Sequence, residues 1–299
     1  MANTSMQIAS PTAVWAVRAR SVLGGLRRAP KIPSLVLLVF MIFAAFGQWI
    51  APYSPVAVDM AASFSPPVWH EEGSADHLLG TDKLGRDILS RLIIGARVSL
   101  SLSLFVIGLG GGVGVVLGLI SGYSGGKVDA VMQRGIEVIL AMPTILVALV
   151  FVFAVGRSFE SVILILSPFL AARFARIVRG ETLSVRERDF VAIAKVIGTP
   201  TWMILLKHIL PNVFNTVIVL ATLEVGHLIL LESSLSFLGV GVPPPQPAWG
   251  LMVADGREFL TSAYWITLFP GLCILAAVLS LNLFGDWLRD TLDPRRRQL

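Results

Sequence analysis

The chain has 299 residues, 55% of them hydrophobic and 14% charged, with a mean hydropathy of +0.78. Soluble domains carry about 25% charged residues, so this composition excludes an ordinary water-soluble enzyme and points to a protein that crosses a membrane several times. The net charge of +5 does not describe a nucleic-acid-binding face, because its sign alternates along the chain as the positive-inside rule requires. Arg18, Arg20, Arg27, Arg28 and Lys31 precede the first apolar run with no acid among them, which marks 1–32 as a cytoplasmic tail before a transmembrane region over 33–299. That run, 34–51, is long enough to span. A cleaved signal peptide is the rival reading, with Ala45-Phe46-Gly47 as its small-x-small site, but the apolar run continues through Trp49 and Ile50 and reads as an uncleaved anchor.

Residues 52–96 form an extracytoplasmic loop carrying Asp59, Glu71, Glu72, Asp76, Asp82 and Asp87 against Lys83, Arg86 and Arg91. His70, Glu71, Glu72, Asp76 and His77 lack any recognised metal-ligand spacing and read as an acidic loop. Leu84, Ile88 and Leu92 fall on one helical face, with Arg86, Ser90 and Arg91 turned away. The spacing predicts an amphipathic helix on the membrane surface before the second span. The second span, 98–120, repeats Gly110, Gly114, Gly118 and Gly122 every fourth residue, a face along which another helix can approach closely. The glycines are not a nucleotide loop: Gly125-Gly126-Lys127 is followed by Val128, and Ser121 stands where the motif needs its first glycine.

The third span is 130–155, with Arg134 and Glu137 three residues apart and able to pair. The fourth begins at Phe159, is interrupted by Pro168, and ends in Arg173, Arg176 and Arg179, whose stems can snorkel to cytoplasmic headgroups. A polar island at 186–212 then separates two spans inside a cytoplasmic loop, 180–212. Phe190, Val191, Ala194 and Ile197 share a helical face, Gly198 suits a left-handed stop, Thr199 an N-cap and Pro200 the first turn of a second helix that Pro211 closes. The fifth span, 213–238, holds Glu224, His227 and Glu232. Ionisable groups at membrane depth either line a wet path or hydrogen-bond between helices. A stiff proline-rich outer loop at 241–262 leads to the sixth span, 264–284, flanked by Tyr264-Trp265 and Trp287 as interfacial aromatics. Cys273 stands alone, so no internal disulfide forms.

Four segments carry a resemblance. Ala192-Ile193-Ala194, then Gly198, then His208-Ile209-Leu210-Pro211-Asn212 resembles the "EAA" loop of ATP-binding cassette (ABC) importer permeases, in the ending typical of their dipeptide/oligopeptide/nickel branch. Gly80-Thr81-Asp82 through Gly85-Arg86-Asp87 resembles a segment of the C-type subunits of dipeptide permeases. So do Glu232 through Gly241 with Trp249-Gly250, and the closing Gly285-Asp286 through Arg295. The family's loop glutamate is Ala192 here and its first alanine is Ile193, so contacts of that carboxylate do not carry over. The resemblance implies an all-α integral membrane fold of six transmembrane helices, the type I ABC importer permease fold with a cytoplasmic coupling loop. Phe190, Ala192, Ala194, Gly198, Thr199, Pro200, Leu210 and Pro211 would form the coupling surface. It implies a homologous second permease, two cytoplasmic ATPase subunits and an extracytoplasmic substrate-binding protein as partners, surrounded by membrane lipid. ATP and Mg would sit on the ATPases, with no cofactor, metal or catalytic residue in this chain. The location would be the bacterial cytoplasmic (inner) membrane, with both termini cytoplasmic. The cargo class would be peptides or related solutes, glutathione-like molecules or nickel complexes. The alternative is a stand-alone ion-coupled secondary transporter using Glu224, His227 and Glu232 as a relay. A membrane enzyme is weaker, because no nucleophile–base pair converges at one depth.

Overall fold

A 20-residue helix, α1 (Lys31–Ile50), opens the computed structural model, which describes residues 29–292. The basic residues Arg18, Arg20, Arg27 and Arg28 and the closing 293–299 lie outside the described residues. Helix α1 stops because Ala51 precedes Pro52 and is forced extended, at ψ 124°.

The second helix, α2, runs unbroken from Ile88 to Ser124, 37 residues, with one π-helical turn at Ile107–Gly111. No separate surface helix precedes it, which corrects the reading of Leu84, Ile88 and Leu92. Gly85 adopts φ 68°, so Leu84 lies in a turn, and Asp87 caps the helix by accepting from the Ser90 amide at 2.7 Å. The polar residues assigned to the outside of that helix are buried, Arg86, Ser90 and Arg91 alike. They are paired with acids rather than hydrated.

The glycine stripe does what its spacing predicts. Gly110, Gly114, Gly118 and Gly122 all face α5 (Phe159–Arg186), and a Cβ on Gly114 would lie 2.5 Å from the Ala171 carbonyl oxygen. Helix α5 is the centre of the bundle, with 67% of its apolar window buried against 39% or less in the other spans. Pro168 does not interrupt it. The helix continues through the one missing amide because its flanks, Leu166 and Leu170, are locked in the core.

The third span is not straight. Helices α3 (Gly126–Ala141) and α4 (Thr144–Val155) meet at 85°. Pro143 has no amide to continue the ladder, and Met142 before it turns extended at ψ 133°. Among the described residues, five helices are thus long and apolar enough to cross a membrane, and this bent pair makes a sixth candidate.

After α6 (Asp189–Val196), α7 runs from Thr201 to Phe237. Pro211 does not close a helix as read from sequence. The six π-helical residues Ile204–Ile209 absorb the displaced hydrogen bonds and the helix carries on through Pro211. A short helix, α8 (Trp249–Gly256), occupies the stretch read as proline-rich loop. Its Trp249 is fully buried, seated on Gly95, and donates its indole N–H to the Leu92 carbonyl at 3.0 Å. Helix α9 (Trp265–Leu292) completes the bundle. Trp265 is no interfacial belt residue, being buried with its indole N–H on the Thr81 carbonyl at 3.1 Å. Tyr264 beside it is exposed.

Candidate functional site

The polar island folds as a helix, a sharp turn and the start of α7. Gly198 adopts φ 79°, its amide bonds the Lys195 carbonyl at 3.1 Å, and the Thr199 amide reaches back to the Ala194 carbonyl at 3.0 Å. Those two bonds close a Schellman motif, in which glycine takes the left-handed position. Thr199 is therefore part of the stop. The N-cap of the next helix is Pro200, without any side-chain bond, which corrects the assignment of Thr199.

One side of α6 is sealed. Val191 and Ala194 are buried with Leu119, Val178, Val185, Ile204, Ile209 and Val213, at the ends of α2, α5 and α7 that meet the loop. The other side is apolar and open: Ile193 is 61% exposed, Val196 87% and Ile197 74%, with Trp202 and Leu206 beside them. Ile197 thus points away from the Val191–Ala194 face with which its spacing grouped it. Phe190, Ala192, Gly198 and Pro200 are also exposed, Thr199, Leu210 and Pro211 half-buried. Charges tether the loop's base. Arg186 donates to the Gly122 carbonyl at 2.9 Å and to Glu187 at 2.8 Å, and Lys195 sits 5.1 Å above the Tyr123 ring.

Two arginines of α5 do not snorkel. Arg179 forks onto Asp129 of α3, Nε and Nη2 each at 2.6 Å, and Asp129 also accepts from Ser121. Arg173 donates once to Glu224 of α7, Nη1 to Oε2 at 3.3 Å. Of the three, only Arg176 is exposed, as the snorkelling reading requires. His227 lies three residues beyond Glu224, exposed and within electrostatic reach of both charges. Glu232 is elsewhere. It is 1% exposed, its Oε1 accepts from the Ser236 hydroxyl at 2.6 Å, and Oε2 has no partner among the described residues. Arg134 and Glu137 pair at 3.9 Å on the exposed face of α3. Nothing local in the sequence marks Arg173, because its partner lies 51 residues away.

Residues 114–298 match the family of binding-protein-dependent transport system inner membrane components. The chain belongs to that family. The dipeptide transport system permease protein DppC of Escherichia coli K12 is 43% identical over 273 residues, 91% of each chain. The di/tripeptide transport system permease protein DppC of Pseudomonas aeruginosa UCBPP-PA14 is 37% identical over 92% of this chain and 88% of its own. The probable D,D-dipeptide transport system permease protein DdpC of E. coli K12 is 35% identical over 88% and 86%. As an inner membrane component of such a system, the chain is a multi-pass permease subunit and not itself an enzyme. The stand-alone ion-coupled reading finds no counterpart among these relatives.

The end of the bundle that carries 80–91 and α8 is built on charge pairs, where sequence reading turned Arg86 and Arg91 away from the apolar face of a surface helix. Asp82 accepts from the amides of Leu84 and Arg86 at 2.9 and 3.0 Å and from Arg86 Nε at 2.6 Å. Arg86 and Arg91 then reach Asp255 of α8 at 3.5 and 4.0 Å, clasping that short helix to the start of α2. His77 and His70 are occupied as well, with Asp87 and with the Tyr264 hydroxyl, both at 3.1 Å.

Proposed function

We propose that this chain is the permease subunit of an ATP-driven importer that receives peptides from an extracytoplasmic binding protein and moves them inward by alternating access. The relatives' names, all peptide permeases, support the cargo class. One observation supports ATP coupling above the others: Ile193, Val196, Ile197, Trp202 and Leu206 form an open apolar patch on a loop whose opposite face is locked into the bundle. A patch of that kind exposed to water marks a protein contact. In this reading two cytoplasmic ABC ATPases, carrying ATP and Mg, hold α6 and its turn in a groove, with Phe190, Ala192, Ala194, Gly198, Thr199, Pro200, Leu210 and Pro211 forming or shaping the contact. A homologous second permease completes the path, which Glu224 and His227 line from this side, while Glu232 serves packing. Both termini are cytoplasmic, as are 1–32 and 180–212, whereas 52–96 and 241–262 are outside.

Two measurements test this together. Cysteine placed at Glu72 or Pro244 labels from outside with an impermeant thiol reagent, and cysteine at Arg188 does not. The complex purified through this chain contains ATPase subunits that are lost when Val196 and Ile197 become aspartates. External labelling at Arg188, or ATPase retention by the double aspartate variant, refutes the docking assignment.

A further inference from the structure

Arg173 and Arg179 lie six residues apart on α5 and are held in opposite ways. Arg179 is saturated, forked onto Asp129 at 2.6 Å through two nitrogens. Arg173 makes one bond, 3.3 Å long, and keeps 36% of its side chain exposed while Glu224 keeps 11%. A guanidinium has five N–H donors, and its fork matches a carboxylate through two of them at once. Among the described residues, Arg173 therefore spends its charge on a partner that leaves most of its donors open.

Depth makes this arrangement costly unless it is used. Arg173 is near the middle of the 28-residue α5, flanked by buried Ala172 and Phe174, and Glu224 is near the middle of the α-helical part of α7, Leu210–Phe237. Insertion scales place an arginine at such depth among the costliest residues to bury. Ionisable groups there face water or each other. The pair is also neutral as a unit, so the site has no net attraction for a lone cation or anion.

We propose that Arg173 and Glu224 form a mid-membrane station for zwitterionic cargo, which exchanges their mutual ion pair for two new ones. This rests on the peptide-importer reading above. The cargo's terminal carboxylate takes the fork of Arg173, and its terminal ammonium takes Glu224, with His227 as the adjacent polar edge. No charge is created or lost in the exchange. A dipeptide extends about 7 Å between its ends, long enough to hold apart the two side chains now 3.3 Å from each other. Peptides blocked at either terminus leave one of the two charges unpaired at membrane depth, so the station rejects them by the desolvation of its own residue.

The experiment uses the complete transporter reconstituted in proteoliposomes with its binding protein. Its probes are a radiolabelled dipeptide with free termini and the same dipeptide as its C-terminal amide. The decisive variant is Arg173→Met with Glu224→Met, because replacing both members of an ion pair by apolar groups of similar size preserves packing. Arg173→Gln alone is the second variant. Expected is wild-type assembly of the double variant, with dipeptide uptake lower by about tenfold or more. Arg173→Gln reduces the preference for free dipeptide over amide. Wild-type uptake by the double variant, or an unchanged preference in Arg173→Gln, overturns the station and leaves the importer standing. Absence of dipeptide uptake by the wild-type complex overturns the cargo assignment and the station with it.

Discussion

Gly114→Ala isolates what the glycine stripe contributes to the bundle. A Cβ there would lie 2.5 Å from the Ala171 carbonyl oxygen, 2.5 Å from Phe174 Cβ and 3.0 Å from Ala171 Cα. Ordinary carbon contacts run at about 3.5–4.0 Å, so α2 and α5 must separate by about 1 Å. The obstructing atoms belong to backbone and to a Cβ, and neither can rotate aside. Gly110 and Gly118 face the same helix, where a Cβ on either would lie 2.5 Å from the Ser167 carbonyl oxygen or 2.7 Å from Val178 Cβ, so separation at 114 loosens the packing at both neighbours. Overpacking of this kind costs about 1–3 kcal/mol. Alanine's better helix propensity offsets it by about 0.8–1 kcal/mol. Gly112, two residues away, meets nothing within 4 Å among the described residues, so Gly112→Ala carries the propensity gain alone. The two variants should then differ by about 1–3 kcal/mol in unfolding free energy, with Gly114→Ala the weaker. Titration of each with a denaturing detergent in mixed micelles, read by circular dichroism, measures that difference. Equal midpoints would refute the assignment of the stripe as a helix-packing face.

Gly198→Val places a β-branched residue at φ 79° with no clash to relieve, so its cost is conformational, at least about 1–2 kcal/mol, and confined to the turn. Membrane levels should stay normal while ATPase retention in mild detergent falls, and Ala192→Glu, at an exposed position, should retain the ATPases; equal retention by both variants would count against the turn. Glu232→Gln keeps an acceptor for the Ser236 hydroxyl and should leave stability and uptake unchanged, whereas Glu232→Leu strands that buried hydroxyl and should lower stability by about 1–3 kcal/mol. Thermal unfolding and uptake, run in parallel, check both, and loss of uptake in Glu232→Gln with stability intact would place Glu232 on the path after all.

Short-range periodicity made much of this structure readable. Gly110 to Gly122 repeat every fourth residue and land on one neighbour, and Gly198 ends a helix because left-handed backbone costs glycine nothing. The same kind of reasoning misplaced the start of α2, where Leu84 fits the apolar spacing but Gly85 breaks the backbone. Asp87, capping Ser90, was the better signal. Pro143 and Pro211 show why residue type alone is ambiguous. The first bends its chain by 85° because Met142 turns extended, and the second is absorbed by a π-helical segment. Charge pairs were invisible for a different reason. Arg86 and Arg91 read as solvent-facing because their partner Asp255 lies in another element, and Arg173 read as a headgroup anchor because Glu224 lies beyond the 186–212 island. Pattern reports which face a residue takes, but it does not report what waits there.

The loop and the mid-membrane pair sit on the same two helices, and that constrains how one can act on the other. Helix α5 ends at Arg186 and α7 begins at Thr201, with α6 and the Gly198 turn between them. Because Val191 and Ala194 are sealed against both helices and α2, force on the open Ile193–Ile197 face has no slack segment in which to dissipate. Arg186, bound to the Gly122 carbonyl, ties the end of α5 to the end of α2, where the glycine stripe locks the two together. Helices α2 and α5 therefore move as a unit. Helix α7 packs on that unit through Leu228 and Leu235, which share a core with Leu166, Phe169 and Leu170; the polar contact at mid-depth is one 3.3 Å hydrogen bond, and the π-helical turn at Ile204–Ile209 gives α7 a point of adjustment near its root. From Arg186 to Arg173 the rise is about 20 Å, so a tilt of α5 against α7 at the loop is carried by rigid helix to the pair itself. A displacement large enough to break a bond already at 3.3 Å opens the Arg173 fork, and one that closes the gap restores it. If Arg173 and Glu224 hold cargo as proposed, loop position and cargo affinity are two readings of one coordinate, the angle between α5 and α7.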